Sequence, residues 1–185
     1  MNLPINTPNL LTIVRILLTP LFVILLLKEM YVSALLVFSL AGISDGLDGF
    51  IARYFHQRTT LGAYLDPIAD KLLLASAFIS MAILKIVPSW VTVIVISRDV
   101  LITMGIAIFT ITEKPYRVQP SVISKITTVT QITTIILALI NVSTMALSAL
   151  MVFLFWVTCV ITTLSGLHYI YFGMMILQNG SQKNA

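Results

Sequence analysis

The sequence predicts an all-α fold: a polytopic integral membrane protein with six transmembrane helices. Three observations predict it. Of the 185 residues, 58% are apolar and 10% charged, whereas a soluble domain carries about 25% charged residues. The mean hydropathy is +1.03. The apolar residues come in solid runs of the length, about 20 residues, that crosses a bilayer core as a helix, not in the period-two alternation of a β-barrel. A net charge of +4 and a single cysteine, Cys159, exclude a nucleic-acid binder and a disulfide scaffold.

The first span is expected over residues 10–27. A short interfacial stretch broken by Pro4 and Pro8 precedes it, with Asn9 placed to cap it. No Lys or Arg occurs in the first ten residues and no small-residue cleavage site follows, so a secretory signal is not expected. Lys28-Glu29 ends this run, and the second covers 31–50. A polar, basic break over 54–60 leads to the third, 61–84. The turn at 85–88 opens the fourth, 88–111, and the polar segment 113–120 separates it from the fifth, 122–146. The sixth, 148–177, is the longest. The chain reads as one domain over 1–185, with a polar tail at 179–185.

Orientation follows the Lys/Arg asymmetry. With six spans, both termini and the second and fourth connections share one side. That side holds Arg53, Arg58, Lys114, Arg117 and Lys183, with Arg15 and Lys125 just inside its helices. The other side has only Lys28 and Lys85. A multi-pass protein with cytoplasmic termini is expected.

Four of the seven carboxylates, Asp45, Asp48, Asp66 and Asp70, fall within 26 residues and at or inside expected spans. An unpaired charge at mid-membrane costs about 2.5–3.5 kcal/mol, so the four cost on the order of 10–14 kcal/mol before compensation. Packing alone does not explain that penalty. Asp45, Asp48, Gly49 and Ala52 stand at i, i+3, i+4 and i+7 and share one helical stripe. Gly62, Asp66 and Asp70 form another. A short loop makes the two helices antiparallel neighbours, so the stripes can face each other near the cytoplasmic side. Four carboxylates brought together repel unless cations neutralise them. Two divalent ions match their charge, and oxygen-only ligands suit Mg²⁺ or Mn²⁺. Such a pair clamps a phosphoryl group. Gly46, Gly49, Ala52 and Gly62 clear space for a ligand or serve tight helix packing. Arg53 can reach phosphate oxygens with a two-pronged contact, or mark the cytoplasmic face.

Residues 45–70 read DGLDGFIARYFHQRTTLGAYLDPIAD. They fit D-x2-D-G-x2-A-R-x8-G-x3-D-x3-D at every defined position and spacing. This resembles the signature of the CDP-alcohol phosphatidyltransferases, membrane enzymes that move a substituted phosphate from a cytidine diphosphate-linked donor to an alcohol. The resemblance implies that Asp45, Asp48 and Asp66 hold two metals. It makes Asp70 a contact of the second metal or the general base, with Asp66 the other candidate base. It places Gly49, Ala52, Arg53 and Gly62 beside the donor's cytidine and diphosphate, gives Asn9 and Thr12 a weaker role there, and implies a homodimer.

The acceptor is read from the second half. Ile96-Ser97-Arg98-Asp99-Val100 in the fourth span and Pro120-Ser121-Val122-Ile123-Ser124-Lys125 at the fifth, followed by Thr128 and Gln131, resemble the cardiolipin synthases of this family. Phosphatidylglycerophosphate synthases, close relatives, usually read A-R-E and G-K-x-K-T at these places. Here Asp99 replaces the Glu, Ser124 the Gly, and Thr127 the second Lys. Losing one Lys suits phosphatidylglycerol, a phosphodiester with a single charge, over glycerol 3-phosphate. Arg98 and Lys125 are expected to bind the acceptor's phosphate. An internal Arg98–Asp99 pair is not expected, because adjacent helix residues point about 100° apart.

The implied reaction joins CDP-diacylglycerol and phosphatidylglycerol to give cardiolipin and CMP, with transfer to glycerol 3-phosphate as the alternative. No nucleophile stands out: Ser44 has no neighbouring histidine, His56 and His168 read as interfacial or packing residues, and Ser97 and Ser124 are expected to bond helix carbonyls. The rival outside the enzyme class, a carboxylate-lined ion transporter, predicts acids spread through several spans with inverted-repeat symmetry. This chain instead clusters its acids on two adjacent helices.

Overall fold

The computed structural model describes residues 7–54, 60–111, 122–144 and 146–182, with side chains described at 12–44, 68–105, 122–144 and 146–175. The described residues form six helices and no strand. They are α1 (Thr7–Leu27), α2 (Tyr31–Tyr54), α3 (Thr60–Ile83), α4 (Ser89–Ile111), α5 (Val122–Thr144) and α6 (Ser148–Gln182). Each of the six apolar runs is therefore a helix. By length and composition, Val122–Thr144 and Ser148–Met175 can cross a membrane, and shorter apolar helical stretches run over Thr12–Leu27 and Tyr31–Ser44.

The chain divides into two units. The first holds Met1–Val87 with Ile135–Ser148; the second holds Pro88–Thr134 with Ala149–Ala185. In the first, α1 packs against both α2 and α3. Thr12, Arg15, Phe22 and Leu26 make its buried face, while Ile13, Leu17, Leu21 and Ile24 point outward. Phe22 meets Phe38 of α2 with ring centroids 5.5 Å apart. Buried alanines at 34, 41, 69 and 77 let the backbones approach closely, as small residues do in membrane helix pairs.

One expected detail is corrected here. Helix α1 begins at Thr7, so Asn9 lies inside its first turn and is not its cap. Pro8 does not stop the helix, because an amide in the first turn has no intrahelical acceptor to lose. Further along, Pro20 removes an amide from the interior of α1, and the Thr19 hydroxyl donates to the Arg15 carbonyl at 3.0 Å beside it.

Two turns show how the reversals are made. Met30 donates to the Leu25 carbonyl (3.0 Å) and Glu29 to Leu26 (2.9 Å). Ile86 donates to Met81 (2.8 Å) and Lys85 to Ala82 (3.0 Å). Both are Schellman caps, which put one residue in the left-handed region. That residue is Glu29 (φ 59°) in one and Lys85 (φ 58°) in the other. A residue with a Cβ is strained there by about 1 kcal/mol relative to glycine. Glu29→Gly and Lys85→Gly are each expected to raise the thermal unfolding midpoint in detergent; a fall in either would show that the side chain contributes more than the strain costs.

The second unit contains α4, the first half of α5 and most of α6. Trp90 near the start of α4 lies against Trp156 of α6, with ring centroids 5.1 Å apart. Polarity here is inverted relative to a soluble core. Outward-facing positions of α6 are Phe153, Trp156, Val160, Leu164 and Leu167, while Thr158, Thr162 and Ser165 are buried. On α5, Val122, Ile126 and Val129 are exposed, and Thr127, Gln131 and Thr134 are buried. Apolar side chains over most of an outer surface suit a lipid environment.

Candidate active site

The acidic stripes lie on continuous helix. Helix α2 runs past Asp45, Asp48, Gly49 and Ala52 to Tyr54, and α3 already includes Gly62, Asp66 and Asp70. The i, i+3, i+4 and i+7 relations therefore hold along the backbone. The side chains of Asp45, Asp48, Asp66, Ala52, Arg53 and Asn9 lie outside the described residues, as do the surroundings of Gly49 and Gly62. Among the described residues no group of three or more His, Cys, Asp or Glu comes together. Four carboxylates on two helices are an oxygen-only donor set, which fits a hard divalent cation.

Asp70 is the acidic residue of the signature whose side chain is described. Its Oδ1 accepts from Arg15 Nη1 at 2.6 Å. Arg15 is fully buried, while the Asp70 side chain is 44% exposed. Thr12, one turn before Arg15, is buried on the same face of α1. Arg15, which the sequence places just inside the first span beside the stretch 9–12, thus stands against the signature's last carboxylate. The two are 55 residues apart, and no spacing rule connects them.

The second unit gathers a different cluster. Arg98 is buried; its Nη1 donates to Asp99 Oδ1 (2.8 Å) and its Nη2 to Ser124 Oγ (2.7 Å) and Ser165 Oγ (2.9 Å). Its guanidinium carbon sits 5.9 Å from the Tyr169 ring centroid. The Arg98–Asp99 pair corrects the expectation that neighbours on a helix pair poorly. A long guanidinium side chain can bend back over its own turn where a short one cannot. The Ser124 hydroxyl accepts from Arg98 Nη2. Gly166 packs beside this side chain: a Cβ there would make ordinary van der Waals contact with Arg98 Cγ at 3.6 Å.

Lys125 is exposed and is not brought into the Arg98 hydrogen bonds. Thr127 is fully buried and its hydroxyl donates to the Ile123 carbonyl at 2.8 Å. Thr134 and Thr158 share a hydrogen bond at 2.7 Å, whereas Gln131 Nε2 and Thr162 Oγ1 are buried without a hydrogen-bond partner among the described residues. Ser44 donates to the Leu40 carbonyl at 2.7 Å, consistent with a helix-bonded serine. His168 is exposed and stacks on Phe172, and Cys159 is buried and unpaired by disulfide. His56 lies outside the described residues.

A family model described as CDP-alcohol phosphatidyltransferase matches residues 5–178. The chain belongs to the CDP-alcohol phosphatidyltransferase family. Members of this family are membrane enzymes that use divalent metal ions. Among curated relatives, the chain is 44% identical over 104 residues to the CMP-forming cardiolipin synthase of Rattus norvegicus, covering 56% of this chain and 34% of the relative. It is 34% identical over 110 residues to the CMP-forming cardiolipin synthase of Streptomyces coelicolor, covering 56% and 51%. It is 38% identical over 104 residues to a CDP-diacylglycerol–glycerol-3-phosphate 3-phosphatidyltransferase of Pseudomonas fluorescens, covering 53% of each. The matches thus span about a third to a half of these relatives' lengths.

Sequence reasoning missed Ser165, Tyr169 and Gly166, which surround Arg98. One signal pointed at α6: Thr158, Thr162 and Ser165 recur at i, i+4 and i+7 in an otherwise apolar helix.

Proposed function

We propose that this chain is a six-span, single-domain membrane enzyme that transfers the phosphatidyl group of CDP-diacylglycerol to phosphatidylglycerol, giving cardiolipin and CMP. The observation that carries the reading is the intact signature at 45–70 inside a family match over 5–178. In this reading the termini and the active centre lie on the cytoplasmic side, and the enzyme is a homodimer. Asp45, Asp48, Asp66 and Asp70 hold two divalent ions, Mg²⁺ or Mn²⁺, between α2 and α3. When bound, the ions withdraw charge from the diphosphate.

The protein's own groups do the rest. Gly49, Ala52 and Gly62 clear space for the donor, with Asn9 and Thr12 nearby, and Arg53 neutralises its phosphate. The terminal hydroxyl of phosphatidylglycerol attacks the phosphorus that carries diacylglycerol. The bond from that phosphorus to the bridging oxygen breaks, and CMP departs with the electron pair. Asp70, or Asp66, accepts the hydroxyl proton.

The acceptor's phosphodiester is met by Lys125 and Arg98. The Ser124 and Ser165 hydroxyls on Arg98 Nη2 are neutral acceptors that a phosphate oxygen can replace, while Asp99 keeps Nη1 anchored. Buried Thr127 leaves that turn of α5 without a second cation, which favours the acceptor of lower charge. The cardiolipin-synthase relatives support the same choice, and the Pseudomonas relative supports glycerol 3-phosphate as the second reading.

Purified protein given labelled CDP-diacylglycerol and each acceptor in turn tests this. CMP release with phosphatidylglycerol is expected. Release with glycerol 3-phosphate alone would establish the second reading, and release with neither would end both.

A further inference from the structure

We propose that Arg15 is a positioning residue of the active centre: its buried guanidinium fixes the direction in which Asp70 presents its carboxylate. The proposal rests on the functional reading above, in which Asp70 serves the transfer. Three observations lead to it. Arg15 lies on the packed face of α1, in line with Phe22 and Leu26, and is fully buried. Its Nη1 holds Asp70 Oδ1 at 2.6 Å, across from α1 to α3. Asp70 itself is 44% exposed, so the cation stands behind a carboxylate that opens outward.

That asymmetry separates positioning from the simpler roles. A charge that sets topology works from the interfacial water, and Arg15 is withdrawn from it. Burying a guanidinium costs several kcal/mol, and an apolar side chain of similar volume would serve packing as well or better. What an apolar residue cannot do is hold a carboxylate. The guanidinium does so through a planar, rigid fork, which a lysine's single flexible ammonium does not reproduce. The Thr19 hydroxyl, bonded to the Arg15 carbonyl, steadies the same turn of α1 where Pro20 supplies no amide.

The test uses the full-length protein with Arg15→Met, Arg15→Lys, Asp70→Asn and the Arg15→Met/Asp70→Asn double variant. Arg15→Met is expected to unfold within a few degrees of the parent and to lower kcat for CMP release by roughly 10- to 100-fold. Its KM for CDP-diacylglycerol is expected to change much less than kcat, within about threefold, since Asp45, Asp48, Asp66 and Arg53 still serve the donor in the proposed centre. Arg15→Lys is expected to fall between. The double variant is expected to be no slower than Asp70→Asn, because both changes act through one carboxylate. An Arg15→Met enzyme with parental kcat, or losses that multiply in the double variant, would overturn the proposal.

A readout independent of turnover accompanies these. The infrared carboxylate band that Asp70→Asn removes from the parent spectrum is expected to shift in Arg15→Met. An unshifted band would overturn the grip of Arg15 even in an active enzyme. A shifted band in a parent protein that transfers to neither acceptor would uphold the grip and end the functional reading instead.

Discussion

Asp66→Asn is expected to abolish turnover and the response to divalent metal together. Asparagine keeps the size and one oxygen of the side chain but removes the negative charge. In the proposed centre Asp66 is one of the four carboxylates whose charge balances the two ions. Losing it is expected to slow CMP release on the order of 10³-fold, about 4 kcal/mol of barrier. Raising Mg²⁺ or Mn²⁺ is not expected to restore the rate. The fold is expected to survive, because removing an intramembrane charge lowers rather than raises the cost of insertion. The measurement is initial rate against metal concentration, with unfolding followed in parallel. Near-parental activity would end the two-metal scheme.

Arg98→Ala is expected to be the most destabilising single change among the described residues. The side chain is 4% exposed and its carboxylate partner Asp99 only 13%. Removing the guanidinium takes the Nη1 donor from the nearly buried Asp99 and the shared Nη2 donor from Ser124 and Ser165. Breaking a buried pair from one side costs about 3–5 kcal/mol. Arg98 also joins α4 to α5 and α6, so the loss is felt in three helices. A drop of many degrees in the unfolding midpoint is expected, partly recovered in Arg98→Ala/Asp99→Ala, where the nearly buried carboxylate is removed as well. An unchanged midpoint in the single variant would mean that the network contributes nothing to stability.

The helices were legible in the sequence because runs of apolar residues ending at Lys28-Glu29 or Lys85 follow from the thickness of a bilayer. The ends were less so. Asn9 is a good capping residue by type, yet the helix starts before it, since Pro8 is tolerated in a first turn. The signature was legible because its residues fall at helical spacings within a short segment. The partners of its charges were not. Arg15 meets Asp70, and Arg98 meets Ser165, across helices far apart in the chain, and no periodicity links such positions. The Arg98–Asp99 pair was misjudged because the angle between neighbours on a helix was weighed without the reach of an arginine side chain.

Helix α5 carries a consequence of its own. Its residues up to Thr134 belong to one unit and those from Ile135 to the other, although the helix is unbroken. No single cut therefore separates the two units: a piece ending at Val87 would lack residues 135–148 of the first. One continuous helix thus lends its first half to one unit and its second half to the other.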